Sequence, residues 1–313
     1  MGLTQRRVVL VKTETTRGVD AVPTAADNAI LCRTSTVISP QGKDVTRNNV
    51  RATFSPEGHI VTGLHTTLPI EIDLRGSGVA GVAPEFGPLL KACGMAEAVV
   101  ADTSVAYTPV SESPDLQPSV TIYWLEDGLL HKMVGCVGTW SVNNSVKSVG
   151  VMTFNMTGLW VDPENVDLPT PILSDVVPPV VESMGLKIGD YTPAGVSAFT
   201  LDFGATVSTR TDVNASQGIA GFYLSARTPA GSIDPEVVAF DEFNPWSDWK
   251  AGTRAAISAT VGSVAGNICD VAVTSGQYKL PSYGDKEGLR TYSLPFECKR
   301  LSAGDDELSL TFK

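Results

Sequence analysis

Runs of alternating apolar and polar residues constrain the fold of this chain more than any other feature of its sequence. In the segment "GLHTTLPIEIDL", residues 63–74, leucines and isoleucines occupy one parity, and Glu71 and Asp73 occupy the other. Alternation at period two is typical of a β-strand with one buried and one polar face. Comparable runs recur at 120–125 and 151–160, and helical periodicity is rare. The sequence therefore predicts a mainly β protein.

Turn residues divide these runs into hairpins. Asp127-Gly128 separates two alternating runs, which is a strong signal for a tight β-hairpin. A second turn is expected near 143–148, before the run 151–160. One short apolar helix is predicted at about 84–93, ended by Gly94. The first half is thus predicted to be an antiparallel sheet system with one short helix.

A glycine-rich loop follows the first of these strands. Gly76, Gly78 and Gly81 match the G-x-G-x-x-G pattern of dinucleotide-binding loops. Such a loop follows a parallel strand that is apolar on both faces, and its glycines open a helix. Here the preceding strand has one polar face, and Pro84 and Pro88 place the helix after the glycines. We therefore expect a flexible loop and not a nucleotide site.

The acidic charge of the chain excludes one class of partner. The formal net charge is -11 and the pI is about 4.7. Such a chain repels phosphates, so we do not expect it to bind nucleic acid by counterion release, although nucleic acid could slide past it. Charged residues make up only 18%, which predicts much surface buried in cores or between subunits. We expect no membrane span, because no apolar run is long enough.

A proline-rich segment divides the chain into two halves. Five prolines lie between residues 163 and 179. Proline cannot donate to a sheet ladder, so this segment is predicted to be an extended linker or a strap over the surface. We predict a first β domain with an N-terminal arm at 1–162, a linker at 163–183 and a second β domain at 184–313.

The second half repeats features of the first. "VSTRTDVNA" at 207–215 resembles "DVTRNNVRA" at 44–52, and "FNPWSDWKAG" at 243–252 occupies the place of the first short helix. A hairpin and a long final strand follow in both halves. We interpret the chain as two β-sandwich or half-barrel domains, each with one short helix, related by a diverged duplication.

The residues that carry most enzyme chemistry form no recognisable site. The five cysteines are widely spaced, and the three histidines match no zinc-binding pattern. Glu71 and Asp73 could act as paired carboxylates in an acidic hydrolase, but carboxylates on the polar face of a strand are more often only solvated. We therefore predict no enzyme activity, no metal and no cofactor.

Three tryptophans support an alternative function. Trp246 and Trp249 are three residues apart, and together with Trp140 they could stack on sugar rings. At that spacing, tryptophans are more often the apolar side of a short helix. A soluble β-sandwich carbohydrate-binding module is therefore the alternative hypothesis.

Five segments of the first half occur in an order that resembles a known family. They are "VPTAADNAILCR", "DVTRNNVR", "RGSGVAGVAPEFGPLLKACGM", "VAYTPVS" and "TFNMTGLWVDP", and they cover residues 22–163. This series resembles the major tail tube protein of long-tailed, siphovirus-type bacteriophages. The second half matches only through its repeat of the first.

The resemblance implies a structural virion protein. In that family, a β-sandwich domain contributes its sheet to a ring, the joined sheets close an inner barrel, and stacked rings conduct the genome during ejection. Loops and terminal arms bridge neighbouring rings. The implied partners are further copies of the chain and the tail tip and terminator proteins, and phage DNA passes without specific binding. The implied location is the virion tail, after synthesis in the host bacterial cytoplasm.

The resemblance also suggests roles for individual residues. Glu71 and Asp73 are candidates for the lumen face, with the outer, solvated face as the equal alternative. Two loops are candidates for contact between rings. They are residues 39–49, with Gly42, Lys43 and Asp44, and residues 75–83, with Gly76, Ser77 and Gly78.

The number of chains in a ring depends on the second half. If it is a second tube domain, three chains supply six domains to a pseudo-sixfold ring. If it is an outward decoration domain, six chains are needed. We favour the trimer, because a decoration domain would have no reason to keep the short helix of the first half.

Overall fold

The structure, a computed structural model, describes residues 3–313. Met1 and Gly2, with which the predicted first domain begins, lie outside the described residues. Strands account for 47% and helices for 5% of the chain, and the strand pairings are antiparallel. The prediction of a mainly β fold with sandwich-like packing is therefore confirmed.

Residues 3–162 of the first half contain nine strands and one helix. They are β1 (Arg7–Thr13), β2 (Ala29–Ile30), β3 (Ser39–Val45), β4 (Ile60–Asp73), α1 (Gly87–Ala92), β5 (Met95–Val100), β6 (Ser104–Pro109), β7 (Val120–Glu126), β8 (Leu129–Ser145) and β9 (Val151–Trp160).

The second half contains eleven strands and one α-helix. They are β10 (Glu164–Asn165), β11 (Lys187–Ile188), β12 (Ala198–Asp202), β13 (Ala205–Thr211), β14 (Ile219–Arg227), β15 (Ala230–Ile233), α2 (Pro245–Ala251), β16 (Arg254–Val261), β17 (Cys269–Tyr278), β18 (Ser282–Lys286), β19 (Leu289–Cys298) and β20 (Leu308–Phe312).

One continuous sheet folds into two layers that pack face to face, termed the main sheet and the covering sheet, which are joined where β17 pairs with β19; β13 and β14 form a separate two-stranded sheet. The main sheet has the order β3–β4–β9–β8–β12–β15–β19–β18. The covering sheet has the order β5–β6–β20–β17–β16. The core lies between them, where Phe86 contacts Phe154 of the main sheet and Phe312 of the covering sheet, with ring centroids 6.1 and 5.6 Å apart. Alternation along each strand directs every second side chain into this core.

The predicted turn and helix are present, with one difference in a boundary. Glu126 pairs with Leu129 across Asp127-Gly128, as expected for the hairpin. Helix α1 begins at Gly87 and not near Pro84, because residues 84–87 form a turn closed by the Gly87 N–H and the Pro84 carbonyl (2.8 Å). Pro88 occupies the first turn, where its missing N–H costs nothing.

Strands of the two halves join directly. In the main sheet, residues Ser141–Ser145 of β8 pair with the whole of β12, and in the covering sheet β6 pairs with β20. One hydrophobic cluster runs through both halves. The proline-rich segment lies extended along the first half, where β10 pairs with β8 and the Ile172 N–H donates to the Ala25 carbonyl.

Backbone pairing between β3 and β4 repeats in strands β12 to β15 of the second half at one constant offset along the sequence. Each residue and its counterpart are separated by the same number of sequence positions, as Ser39 and Asp202 are, and this separation is termed the repeat offset. Three pairs of the first half and their counterparts are Ser39–Thr67 and Asp202–Ala230, Asp44–Val61 and Val207–Leu224, and Val45–Ile60 and Ser208–Tyr223. The repeat offset also relates "DVTRNNVRA" to "VSTRTDVNA". The sequence repeat and the strand register therefore agree.

Candidate assembly surfaces

The face of the main sheet that points away from the core is polar. It carries hydroxyl, amide and carboxylate side chains from neighbouring strands: Thr153 and Asn155, Thr139, Ser141 and Asn143, Thr200 and Asp202, and Ser232. A shallow open depression crosses the β8–β12 join on this face. The surface spans both halves of the chain and is suited to contact with water more than to a buried interface.

Glu71 and Asp73 lie on this polar face of β4, where they are half-buried. The Ser35 hydroxyl donates to Glu71 Oε2 at 2.6 Å. Arg33 donates from Nε to Asp73 Oδ1 at 2.7 Å, and its Nη2 lies 2.6 Å from the same oxygen. The two carboxylates therefore hold residues 33–35 beside the edge of β4.

A second acidic pair occupies the equivalent place in the other half. The repeat offset relates "IEID" at 70–73 to "IDPE" at 233–236. Asp234 Oδ1 accepts hydrogen bonds from the backbone N–H groups of Ser197 and Ala198, both at 2.8 Å. Sequence reasoning missed this pair, although the offset already visible in the two arginine-containing segments would have located it.

Gly42, Lys43 and Asp44 lie on an exposed strand, where the sequence suggested a loop. They belong to β3, whose register against β4 shifts between Gln41 and Lys43, so that Gly42 lies opposite two residues of β4, Gly63 and Leu64, and the bulge is in β4. Asp44 Oδ1 lies 3.6 Å from Nε2 of His59. The hairpin places all three side by side on one projecting arm.

Exposed apolar side chains lie at the tips of both long hairpins. In the first tip, residues 46–59, Val50 and Phe54 are completely exposed. In the second tip, Val213 occupies the position equivalent to Val50 and is 97% exposed. The first hairpin also exposes Val45, Ile60 and Val61, and a group of exposed apolar side chains on one element is typical of an interaction surface. The sequence did not single out Phe54, because an isolated aromatic in a polar loop carries no pattern.

The Gly76–Gly78 loop packs against the second half of the chain. The Gly76 N–H donates to Asn267 Oδ1, and the Gly78 N–H donates to the Gly266 carbonyl, both at 2.9 Å. A Cβ at Gly76 would overlap that carbonyl. These two glycines of the G-x-G-x-x-G pattern therefore permit close backbone packing between the halves. Ser77 is half-buried, with its hydroxyl 2.8 and 2.9 Å from the Val79 and Val82 carbonyls, and the exposed side chains of the loop are Val79 and Val82.

The tryptophans do not form a sugar-stacking platform. Trp140 is fully buried and stacks on Phe203, with ring centroids 5.4 Å apart. Trp246 is partly buried against the core and packs on Tyr283 at 5.3 Å. Trp249 is exposed on α2. The three rings therefore face different surroundings.

The nucleophilic and metal-ligating residues remain dispersed in the fold. Across residues 3–313, no three histidine, cysteine or acidic side chains come together as metal ligands. Burial raises the pKa of the Cys298 thiol to about 12, which disfavours the reactive thiolate. Neither feature points to a catalytic centre.

The comparisons with known proteins agree with the fold. A family model described as phage tail tube protein matches residues 4–298. The chain belongs to this family. The resemblance carried by residues 22–163 is confirmed, and the match extends it over the second half.

Membership gives this tail tube protein a structural role in the virion tail, and it implies that copies of the chain assemble into the tube. The comparison with curated proteins finds no match. None of the helices within residues 3–313 has the length and apolar character to cross a bilayer.

Proposed function

We propose that three copies of this protein form a ring with pseudo-sixfold symmetry, and that stacked rings make a conduit for phage DNA. The observation that carries the proposal is the constant repeat offset between strand pairs in the two halves. Two domains with the same strand register can occupy equivalent places around one axis. Three chains then supply six equivalent domains.

The join between β8 and β12 supports a closed ring of sheets. It links the two halves edge to edge within the main sheet, through five residue pairs. Repeating a join of this kind between chains would leave no exposed sheet edge, and closure protects such edges from unwanted pairing.

We assign the polar face of the main sheet to the lumen. Glu71 and Asp73 would then line it together with their counterparts Asp234 and Glu236. A lumen with hydroxyl groups and repeated carboxylates repels DNA phosphates, so that DNA passes without specific binding. The net charge of -11 supports the same assignment.

We assign the two long hairpins to contacts between stacked rings. The arm that carries Gly42, Lys43 and Asp44 ends in the exposed Val50 and Phe54, which favours burial against a neighbouring ring. In the loop at 75–83, the exposed Val79 and Val82 are the side chains available for such a contact, because Gly76, Ser77 and Gly78 already form hydrogen bonds within the chain. The end rings would bind the tail tip and terminator proteins.

Negative-stain electron microscopy of the purified protein over a concentration series tests this function. We expect rings or stacked tubes with a central hole, and rotational averages with threefold symmetry and six similar lobes. Rings with true sixfold symmetry and six complete chains would contradict the trimer. Persistent monomers at all concentrations, even with purified tail tip complexes added as initiators, would contradict assembly into a tube.

A further inference from the structure

The join within the chain defines how one domain meets the next. In this join, Asn143 of β8 lies opposite Thr200 of β12. The Phe203 N–H donates to the Trp140 carbonyl at 2.9 Å, and the Val146 N–H donates to the Ser197 carbonyl at 2.8 Å. The odd-numbered residues of β12 therefore direct their backbone N–H and C=O groups at β8. It follows that Thr200 and Asn143 form a non-hydrogen-bonded pair.

Residues 35–39 are the counterpart of β12 in the first half. Ser39 pairs with Thr67 as Asp202 pairs with Ala230, at the repeat offset. The Arg33 N–H donates to the Glu71 carbonyl at 2.7 Å, so the preceding residues also lie beside β4.

The side chains of this segment follow the same parity as those of β12. Thr36 is buried and Ile38 packs against the core. Their counterparts Phe199 and Leu201 are buried in the core. The segment from Ser35 to Ser39 therefore matches β12 in the direction of its side chains, but it begins with a turn in which the Thr36 N–H donates to the Arg33 carbonyl at 3.2 Å.

Strand β19 is the counterpart of β9. The β4–β9 pair Ile70–Phe154 recurs as the β15–β19 pair Ile233–Leu294, because the repeat offset takes Ile70 to Ile233. Phe154 therefore corresponds to Leu294. Three positions earlier in each strand, Val151 of β9 corresponds to Thr291 of β19.

Strand β18 is, in the same way, the counterpart of the end of β8. Val151 pairs with Asn143 across the β8–β9 hairpin, and Thr291 pairs with Gly284 across the β18–β19 hairpin. Asn143 therefore corresponds to Gly284. It follows that the part of β8 that joins β12, Ser141–Ser145, corresponds to Ser282–Lys286, the whole of β18.

Both counterpart segments have an open edge. Among residues 3–313, β18 pairs with β19 on one side only. In the segment Ser35–Ser39, Ser39 pairs with β4, and the Thr36 backbone is bonded within the chain, its N–H to the Arg33 carbonyl (3.2 Å) and its carbonyl to Arg7 Nη1 (3.1 Å). The open edge of this segment is therefore Val37–Ser39. Val37 is 47% exposed and Tyr283 is 44% exposed. Unpaired sheet edges with exposed apolar side chains favour addition of another strand.

We infer that β18 of one chain pairs antiparallel with Val37–Ser39 of the next chain, in the register of the join within the chain. Val37 then lies opposite Gly284, and Ser39 lies opposite Ser282. This inference rests on the proposed ring and specifies the surface through which a second copy of the chain closes it. Each ring would contain three joins within chains and three equivalent joins between chains.

Disulfide trapping tests the register. Ser39→Cys and Ser282→Cys are combined in a Cys32→Ser background, because the other four native cysteines are buried. Cα atoms of a non-hydrogen-bonded pair lie about 4.5 Å apart, within the range of a disulfide. The matched control, Ser39→Cys with Lys286→Cys, moves one partner to the far end of β18, about 13 Å along the strand. That separation exceeds what a disulfide spans.

The inference predicts that disulfide-linked species will contain two or three chains and no more. Assembled rings of the test variant, oxidised and run on a non-reducing gel, should give mostly dimers and trimers, and the control should remain monomeric. Rings that are intact by microscopy but no more cross-linked than the control would overturn the register and leave the proposed ring standing. Absence of rings would count against the proposed function itself. Disulfide-linked species of up to six chains would support the pairing and contradict the trimer.

Discussion

The carboxylate of Glu14 holds three strands of the first half together. Its Oε1 accepts hydrogen bonds from the Thr121 hydroxyl at 2.8 Å and the Gly135 N–H at 2.7 Å. Its Oε2 accepts from the Gly18 N–H at 2.8 Å and the Ser119 hydroxyl at 2.6 Å. Glu14 follows β1, and its partners come from the adjoining turn, β7 and β8, so this buried group fixes where those strands meet.

Glu14→Gln removes one acceptor and leaves the shape of the side chain unchanged. The new NH₂ group must face the N–H of Gly18 or of Gly135, whichever way the amide is oriented. The hydroxyl of Ser119 or Thr121 can rotate to accept, but the backbone N–H loses its partner. A lost hydrogen bond to a charged group costs about 1.5–3 kcal/mol, and a buried unsatisfied donor about 1–3 kcal/mol. Because these costs overlap, we expect the free energy of unfolding to fall by about 3 kcal/mol.

Urea unfolding of the wild-type and variant chains measures this loss. Both are compared at one protein concentration, because assembly would stabilise the folded state. The control is Glu112→Gln, at an exposed glutamate whose side chain accepts no hydrogen bond within residues 3–313. We expect the control to change stability by less than about 0.5 kcal/mol. A loss below about 1 kcal/mol for Glu14→Gln would refute the argument that these four bonds depend on the charge.

Three further predictions concern the assembly surfaces and their support. Phe54→Ser should leave single rings intact but raise the protein concentration needed for tubes about tenfold or more, because burying a phenylalanine contributes roughly 1.5–3 kcal/mol; light scattering measures the threshold. Gly76→Ala should destabilise the chain by about 1–3 kcal/mol in urea, since its Cβ would overlap the backbone of Gly266. Hydrogen bonds from Lys279 and a second lysine lower the pKa of Glu297, so this carboxylate contributes stability above about pH 4.5 that is lost as the pH falls; urea midpoints of Glu297→Gln and wild type should converge on acidification.

Each of these predictions has a matched control or a contrary outcome. Leu301→Ser removes an exposed apolar side chain that belongs to neither hairpin and should not change the tube threshold. Gly58→Ala places a Cβ in open space and should be near neutral. For Glu297, urea midpoints that stay equally far apart from pH 7 to pH 3 would argue against the lysine contacts as the cause.

Much of the local structure followed from the sequence. Alternation over residues 63–74 predicted the strand that became β4, and Asp127-Gly128 predicted a hairpin that the structure contains. The acidic residues Glu71 and Asp73 were predicted to share the polar face of their strand, which they do. These features depend on neighbours in the chain, so local pattern was sufficient to find them.

The surroundings of the candidate residues were less predictable. The pairing of Asp73 with Arg33 joins residues far apart in the chain, and no pattern indicates it. The loop at Gly76 was expected to be flexible, whereas contact with Gly266 accounts for its glycines. The exposure of Phe54 became evident only once the hairpin was seen to project from the body of the protein.

The sequence by itself determined the mainly β class, the positions of the main turns and the repeat of an arginine-containing segment in the second half. Only the tertiary structure decided that strand register follows the same repeat offset, that β8 joins β12 in one sheet and that β18 and residues 37–39 keep open edges. The physical reason is that periodicity records which face of a strand is buried. Backbone hydrogen bonds between distant strands leave no imprint on residue type, so pairing partners emerge only when the whole chain packs.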